Sequence, residues 1–309
     1  MSYGGTRLGI IGGAGALVSK LFSFVGYTGN GGTLKVETSQ DISGSGGVVW
    51  VKRTDAGTNH HLVDTVRGED VFFTPNTTAA EGGDTGAITF ESDGYTWNSG
   101  NGLYNRSGNI YSSFSWLINE GFVDVVEYTG NGANRTIAHS LNAVPTMMFV
   151  RRVNLATSWS VYHDNLTSAA YRILLDGNGG ENLRTTSWNS TDPTDSVFSI
   201  GTDGGVNSSG APYIAYLFAP KSGEADSGSY SGTTTINTGL DSISLFMVKR
   251  KDSIGDWYMF YERSGTWYHL KANTADTEAT GLISVSGGDV TLSGAASSGN
   301  GIYYAWEGA

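Results

Sequence analysis

The sequence predicts an all-β fold: three tandem antiparallel β-sandwich domains, jelly-roll or lectin-like, behind a short Gly-rich leader. Three observations carry this expectation. The pentapeptide Tyr27-Thr28-Gly29-Asn30-Gly31 is written again as Tyr128-Thr129-Gly130-Asn131-Gly132. Apolar runs are short and rich in β-branched and aromatic residues, and Gly, Asn, Asp and Ser turns interrupt them roughly every 8–12 residues, the spacing of sandwiches and jelly rolls. Glycine supplies 45 of 309 residues and proline only 5, without a collagen-like period, so glycine punctuates turns between many short strands.

The chain opens on an apolar stretch, residues 8–26, that five glycines and Lys20 interrupt. It is too broken for a membrane span, and Arg7 with a glycine-rich middle fits a signal peptide poorly. Residues 1–21 are therefore expected to dock on a partner, and residues 14–24 form one of two helix candidates. In the pentapeptide that follows, Asn-Gly offers the positive φ angles of a tight hairpin and the tyrosine anchors the strand end by packing. A third copy begins at Tyr230, where Ser231-Gly232 calls for a different turn.

Downstream of each tyrosine runs a strand ending in valine and two bases: Val51-Lys52-Arg53, Val150-Arg151-Arg152 and Val248-Lys249-Arg250. Neighbours in a strand face opposite sides. Asp55, Asn154 and Asp252 stand two residues beyond the second base, so the triplet reads as a strand end where long cations snorkel and pair with a turn. The alternative is an interface contact made three times. An aromatic segment comes next in each copy; in the third, Trp257, Met259 and Tyr261 alternate with Tyr258, Phe260 and Glu262, the period of a strand. Then come a strand with a turn, around Asp93, Asp203 and Asp289, and a tyrosine-led closing strand. Residues 165–175 are the second helix candidate and read equally well as strand. A period near 100 residues exceeds a solenoid repeat and matches a domain, which sets boundaries at 22–121, 122–224 and 225–309.

The polar residues suggest no chemistry shared by the copies. The net charge of −11 disfavours nucleic acid and anionic bilayers, and the absence of cysteine removes disulfides, thiolate metal sites and cysteine nucleophiles. His60-His61 with Asp64 invites a metal site, yet adjacent strand residues point apart; the plain reading is a solvated strand pair with one residue half packed. His163-Asp164 comes without a Gly-x-Ser-x-Gly elbow. The stretch 176–181 begins like a calcium loop but lacks Gly and Glu at the required positions, which leaves an irregular loop calcium as the one cofactor candidate. Loop acids such as Glu81, Asp84 and Glu91 could line a glycosidase groove, though solvation explains them equally. Asp93 and Asp203 read as caps of Asx turns. The aromatic surplus, with Trp159, Tyr162, Trp257, Trp267 and Tyr268 foremost, splits between core, subunit interface and glycan contact.

The repeated Tyr-Thr-Gly-Asn-Gly, Val-Lys-Arg, Ser-Asp-Gly and tyrosine-led pattern resembles the repeated β-domains of uncharacterised function in structural proteins of tailed, notably marine, bacteriophages. The resemblance covers roughly residues 22–309. It implies a noncatalytic virion component, a tail fibre or tail-associated adhesin, made in the host cytoplasm. Such a component would dock on other virion proteins through residues 1–21, form a homo-oligomer and contact a host-surface glycan, with no cofactor, nucleic acid or membrane insertion. Capsid decoration is the alternative virion role. A soluble carbohydrate-binding protein, with glycan cleavage a lesser variant, is the alternative outside the virion.

Overall fold

The computed structural model describes residues 20–98, 100–232 and 235–308. Expectations that rest on residues 1–19 lie outside these. The described chain is nearly all β, with only three single-turn helices, Ile42–Ser45, Gly204–Asn207 and Gly294–Ser297. Of the helix candidate 14–24, residues 14–19 lie outside the described residues and 22–24 lie in the strand Phe22–Thr28, and the candidate 165–175 is a turn followed by the strand Tyr171–Leu174. β-branched and aromatic content and lateral pairing outweigh the apolar spacing there.

Each copy builds one six-stranded antiparallel sheet, and the strand order is the same each time. In the first copy Phe22–Thr28, Ile110–Leu117, Gly47–Arg53, His60–Asp64, Gly68–Phe73 and Gly82–Gly83 lie side by side. The second repeats this with Val123–Thr129, Pro212–Phe218, Met147–Arg152, Ser160–His163, Tyr171–Leu174 and Asn182–Leu183. The third uses Ala225–Ser231, Asn300–Trp306, Leu245–Arg250, Trp257–Arg263, Thr266–Lys271 and Ala279–Thr280. Register repeats too: Phe22, Val123 and Ala225 stand opposite Trp116, Phe218 and Trp306. A smaller sheet of two or three strands covers one face of each large sheet.

The pentapeptide is not a hairpin. Phe22–Thr28 pairs with the closing strand, whereas Leu34–Glu37 pairs with Gly94–Trp97 in the small sheet, so the turn is a corner between sheets. Its tyrosines anchor it as expected: the Tyr27 hydroxyl donates to Tyr104 O (2.7 Å) and the Tyr128 hydroxyl to Val206 O (2.7 Å). Gly29 and Gly130 lie so close to the backbone of Arg106 and Ser208 that no Cβ fits. A hairpin and a sheet-to-sheet corner ask for the same glycines, which is why the sequence pattern could not separate them.

The triplet strands show how side chains are sorted. Val49 and Val51 face the small sheet and join a core with Val36, Ile88 and Trp97, and equivalent private cores lie in the other copies. Val48 and Trp50 face the opposite way, into one core built by all three copies, with Met147 and Phe149 from the second and Leu245 and Met247 from the third. The third copy's aromatic strand is sorted as its period requires, Trp257, Met259 and Tyr261 to the common core and Tyr258 and Phe260 to the private one. At the centre Trp116, Phe218 and Trp306 touch one another, with ring centroids 6.2, 5.5 and 5.8 Å apart. Each such pair contributes about 0.5–1.5 kcal/mol beyond its area.

The units are therefore not beads on a string. Among the described residues the strand ladders run within each copy, but the largest apolar cluster spans all three. Each unit leaves one sheet face unsatisfied, and only its two neighbours can cover it.

Candidate functional site

The polar residues that recur in the sequence converge where units meet. Immediately after each triplet stands a backbone carbonyl, that of Thr54, Val153 or Lys251. Each accepts an N–H from a glutamate of a neighbouring unit: Glu81 to Val153 (3.0 Å), Glu181 to Lys251 (2.7 Å) and Glu278 to Thr54 (3.1 Å). The first unit thus grips the second, the second the third, and the third the first. A head-to-tail contact that returns to its start is a closed cyclic arrangement.

The bases of the triplet divide their work around this contact. Arg53 and Arg250 pair with Asp55 and Asp252 at 2.6 Å, and Arg152 donates to Asn154 (2.9 Å), so the second base clips its own turn. The first base points inward and is fully buried: Lys52, Arg151 and Lys249 are each 0% exposed. Lys249 Nζ donates to Asn178 O (3.2 Å) of the second unit and to Gly255 O (2.7 Å) of its own turn. Arg151 Nη2 donates to Thr78 O (2.6 Å) and Ala79 O of the first unit, and its guanidinium lies 5.5 Å from the Trp159 ring centroid. Lys52 Nζ holds Arg53 O (2.5 Å) and Ala56 O (3.1 Å), near the third unit's Asp276 and Glu278. Burial, with a neighbouring arginine adding to it, lowers the Lys52 and Lys249 ammonium groups to about 8, and burial lowers Arg151 to about 10.

A further repeat escaped the sequence reading. Asn76, Asp176 and Asn273 each stand five residues before the interface glutamate and accept the backbone N–H of His60, Trp159 and Trp257, at 3.0, 2.8 and 2.8 Å. This identifies the calcium-like stretch 176–181: Asp176 and Glu181 are parts of the interface loop. Among the described residues no group of three or more metal-ligating side chains forms. The Asn/Asp-to-Glu spacing was the available signal, hidden because none of the four residues between is shared by all three copies.

The remaining site expectations sort as follows. Trp159 and Trp257 are buried in the common core; Trp159 meets Phe73 of the first unit, and the Trp257 indole N–H donates to Leu174 O (2.8 Å) of the second. Tyr162 is buried in a private core with its hydroxyl on Asp192 (3.0 Å). None of the three offers a ring face to a sugar, which corrects that part of the aromatic reading. Tyr268 is half-buried with Arg263 over its ring at 4.3 Å, and Trp267 is half-buried against the third private core. His60 and His61 are both buried, not solvated. Trp50 Nε1 donates to His60 Nδ1 (2.9 Å), and His61 lies on the other face against Phe72 and Tyr104. Burial lowers both imidazoles, with Lys52 adding to it, His61 to about 4. His163 Nε2 faces Tyr303 O (3.1 Å), a backbone carbonyl. Asp203 caps the turn Gly204–Asn207 by accepting Gly205 N–H (2.7 Å), whereas Asp93 pairs with Lys35 (2.8 Å). Asp64, fully buried, pairs with Arg67 (2.6 Å) and accepts the Tyr216 hydroxyl (2.7 Å) across the first interface.

Two spaces stand out among the described residues. A cavity of about 10 Å³ lies between Trp50, Trp116, Phe218, Met247 and Trp306 at the centre; with this apolar lining it has neither the room nor the polar partners for a bound water. An open cleft of about 590 Å³ lies on the third unit, lined by Ser229, Ser231, Asn237, Lys251, Asn300 and Tyr303 among others. Hydroxyls, amides and one ammonium there can hydrogen-bond a polar ligand; no nucleophile and base stand paired in it.

Among proteins already grouped by sequence, the family described as "Domain of unknown function (DUF7483)" matches residues 18–307, all three repeats as one stretch. No curated protein matches the chain.

Proposed function

The chain belongs to the DUF7483 family; on the repeat pattern and its geometry we propose that it is a noncatalytic structural protein of a tailed-bacteriophage virion, a tail fibre or tail-associated adhesin built of three sandwich units. One observation supports this above the others: the polar residues that recur in every unit are engaged in closing the ring. The first base of each triplet, the interface glutamates through their N–H and the Asn/Asp residues ahead of them all bond to backbone at or beside the contacts between units. Repetition of this kind maintains shape and contact surface.

The polarity of the ring adds to the reading. Lys20, Leu21, Phe22, Trp116 and the unit boundaries lie at one end of the strands. The turns after the triplets lie at the other end, where Leu155 and Ile254 are 47% and 71% exposed. The first end suits docking on the particle and the second suits contact with a host surface. Within this proposal Trp267, half-buried on the third unit, is the aromatic that stacks on a host glycan. The test is incorporation: the full chain should enter particles, and a chain lacking residues 1–21 should remain folded and stay out. Equal incorporation of the two, or cleavage of host polysaccharide by the purified protein, would overturn the proposal.

A further inference from the structure

The three contacts between units differ in covalent history. Two join units that follow one another along the chain, while the third joins the last unit to the first. All three nevertheless use the same bond, a glutamate N–H to the carbonyl after the triplet. The corners repeat as well. Leu117 N–H donates to Leu21 O (2.9 Å), Ala219 N–H to Phe122 O (2.9 Å) and Glu307 N–H to Glu224 O (2.9 Å). At the first two corners four residues, 118–121 and 220–223, carry the chain into the next unit through a left-handed glycine, Gly121 or Gly223. At the third corner no peptide links the units, yet Gly308 packs against Phe22 at the same place, a Cβ built on it lying 3.2 Å from the Phe22 ring.

From this we infer that each flank of a unit is a complete docking surface whose partner is another copy of the unit, and that the two covalent corners are dispensable tethers. The ring is a fused trimer. Its untethered contact already forms without a linker, by the same donors and acceptors, and it adds Phe24 and Phe114 against Tyr261, with centroids 5.0 and 5.4 Å apart. A tether adds only effective concentration, on the order of millimolar for a short link. A separately encoded single unit of this type would then be a competent partner for an opened ring.

The test uses the whole chain with a protease site placed between Glu120 and Gly121, cleaved after folding. The expected result is one species near 32.6 kDa on size exclusion at micromolar concentration, with unchanged circular dichroism. The two pieces should also exchange with those of an isotopically labelled cleaved sample. A circular permutant controls for damage by the inserted site. It starts at Gly121, joins Ala309 through one glycine to Lys20 and ends at Glu120, and it should melt within a few degrees of the parent. Dissociation or aggregation of the cleaved ring at micromolar concentration, absence of exchange, or a permutant that does not fold would each overturn the inference.

Discussion

Single side chains set how the ring responds to pH. His60 and His61 are held neutral by burial, His61 at about 4 against an ordinary 6.5, so the unfolded chain binds more protons than the folded one between those values. The contribution of His61 to stability is complete above pH 6.5 and is lost as pH falls through about 4, and that of His60 has the same sign. His61→Phe keeps the contacts with Phe72 and Tyr104, and the difference in urea midpoint between pH 7.5 and pH 5 should shrink. The buried lysines have the same sign in a higher window. Lys52 and Lys249 fall from 10.5 to about 8, so their term is present above pH 10.5 and lost as pH drops through about 8. Stability should rise from pH 8 to 9.5, before buried tyrosines titrate, and the double variant K52M/K249M should flatten that rise. The sequence showed these residues and their alternation. It could not show that the inward base is buried, because the surface that covers it comes from another unit, 71 residues away for Lys249 and 73 for Arg151.

At the scale of elements, the loop that closes each interface rests on one Asn or Asp. Asn273→Ala leaves the Trp257 N–H without its acceptor, and the loss should be about 1–3 kcal/mol in chemical unfolding. The closing strand of the third unit has Gly301 opposite Tyr230, where the other units place Tyr111 and Tyr213 opposite Tyr27 and Tyr128. The Tyr230 ring lies where a Cβ would stand, so Gly301→Ala should cost about 1–3 kcal/mol by overpacking. Strands and their faces were legible in such segments because period 2 is local. The pentapeptide corner was misread as a hairpin because the pairing partners of its flanking strands, Ile110–Leu117 and Gly94–Trp97, are distant in sequence.

For the whole molecule, repetition in the sequence revealed three copies of one strand pattern but not their dependence on one another. A repeat pattern looks alike whether copies stand apart or share a core. The difference lies in whether the inward residues Trp50, Phe149 and Met247 meet their own unit or its neighbours, and here they meet in one cluster. Trp116→Ala should therefore weaken all three units together, by about 3–5 kcal/mol as a buried tryptophan lost from a core. The most direct measurement is differential scanning calorimetry of the intact chain. A ring with a common core should melt in one transition whose calorimetric and van't Hoff enthalpies agree; resolved transitions for separate units, or a van't Hoff enthalpy of about one third of the calorimetric total, would contradict the shared core.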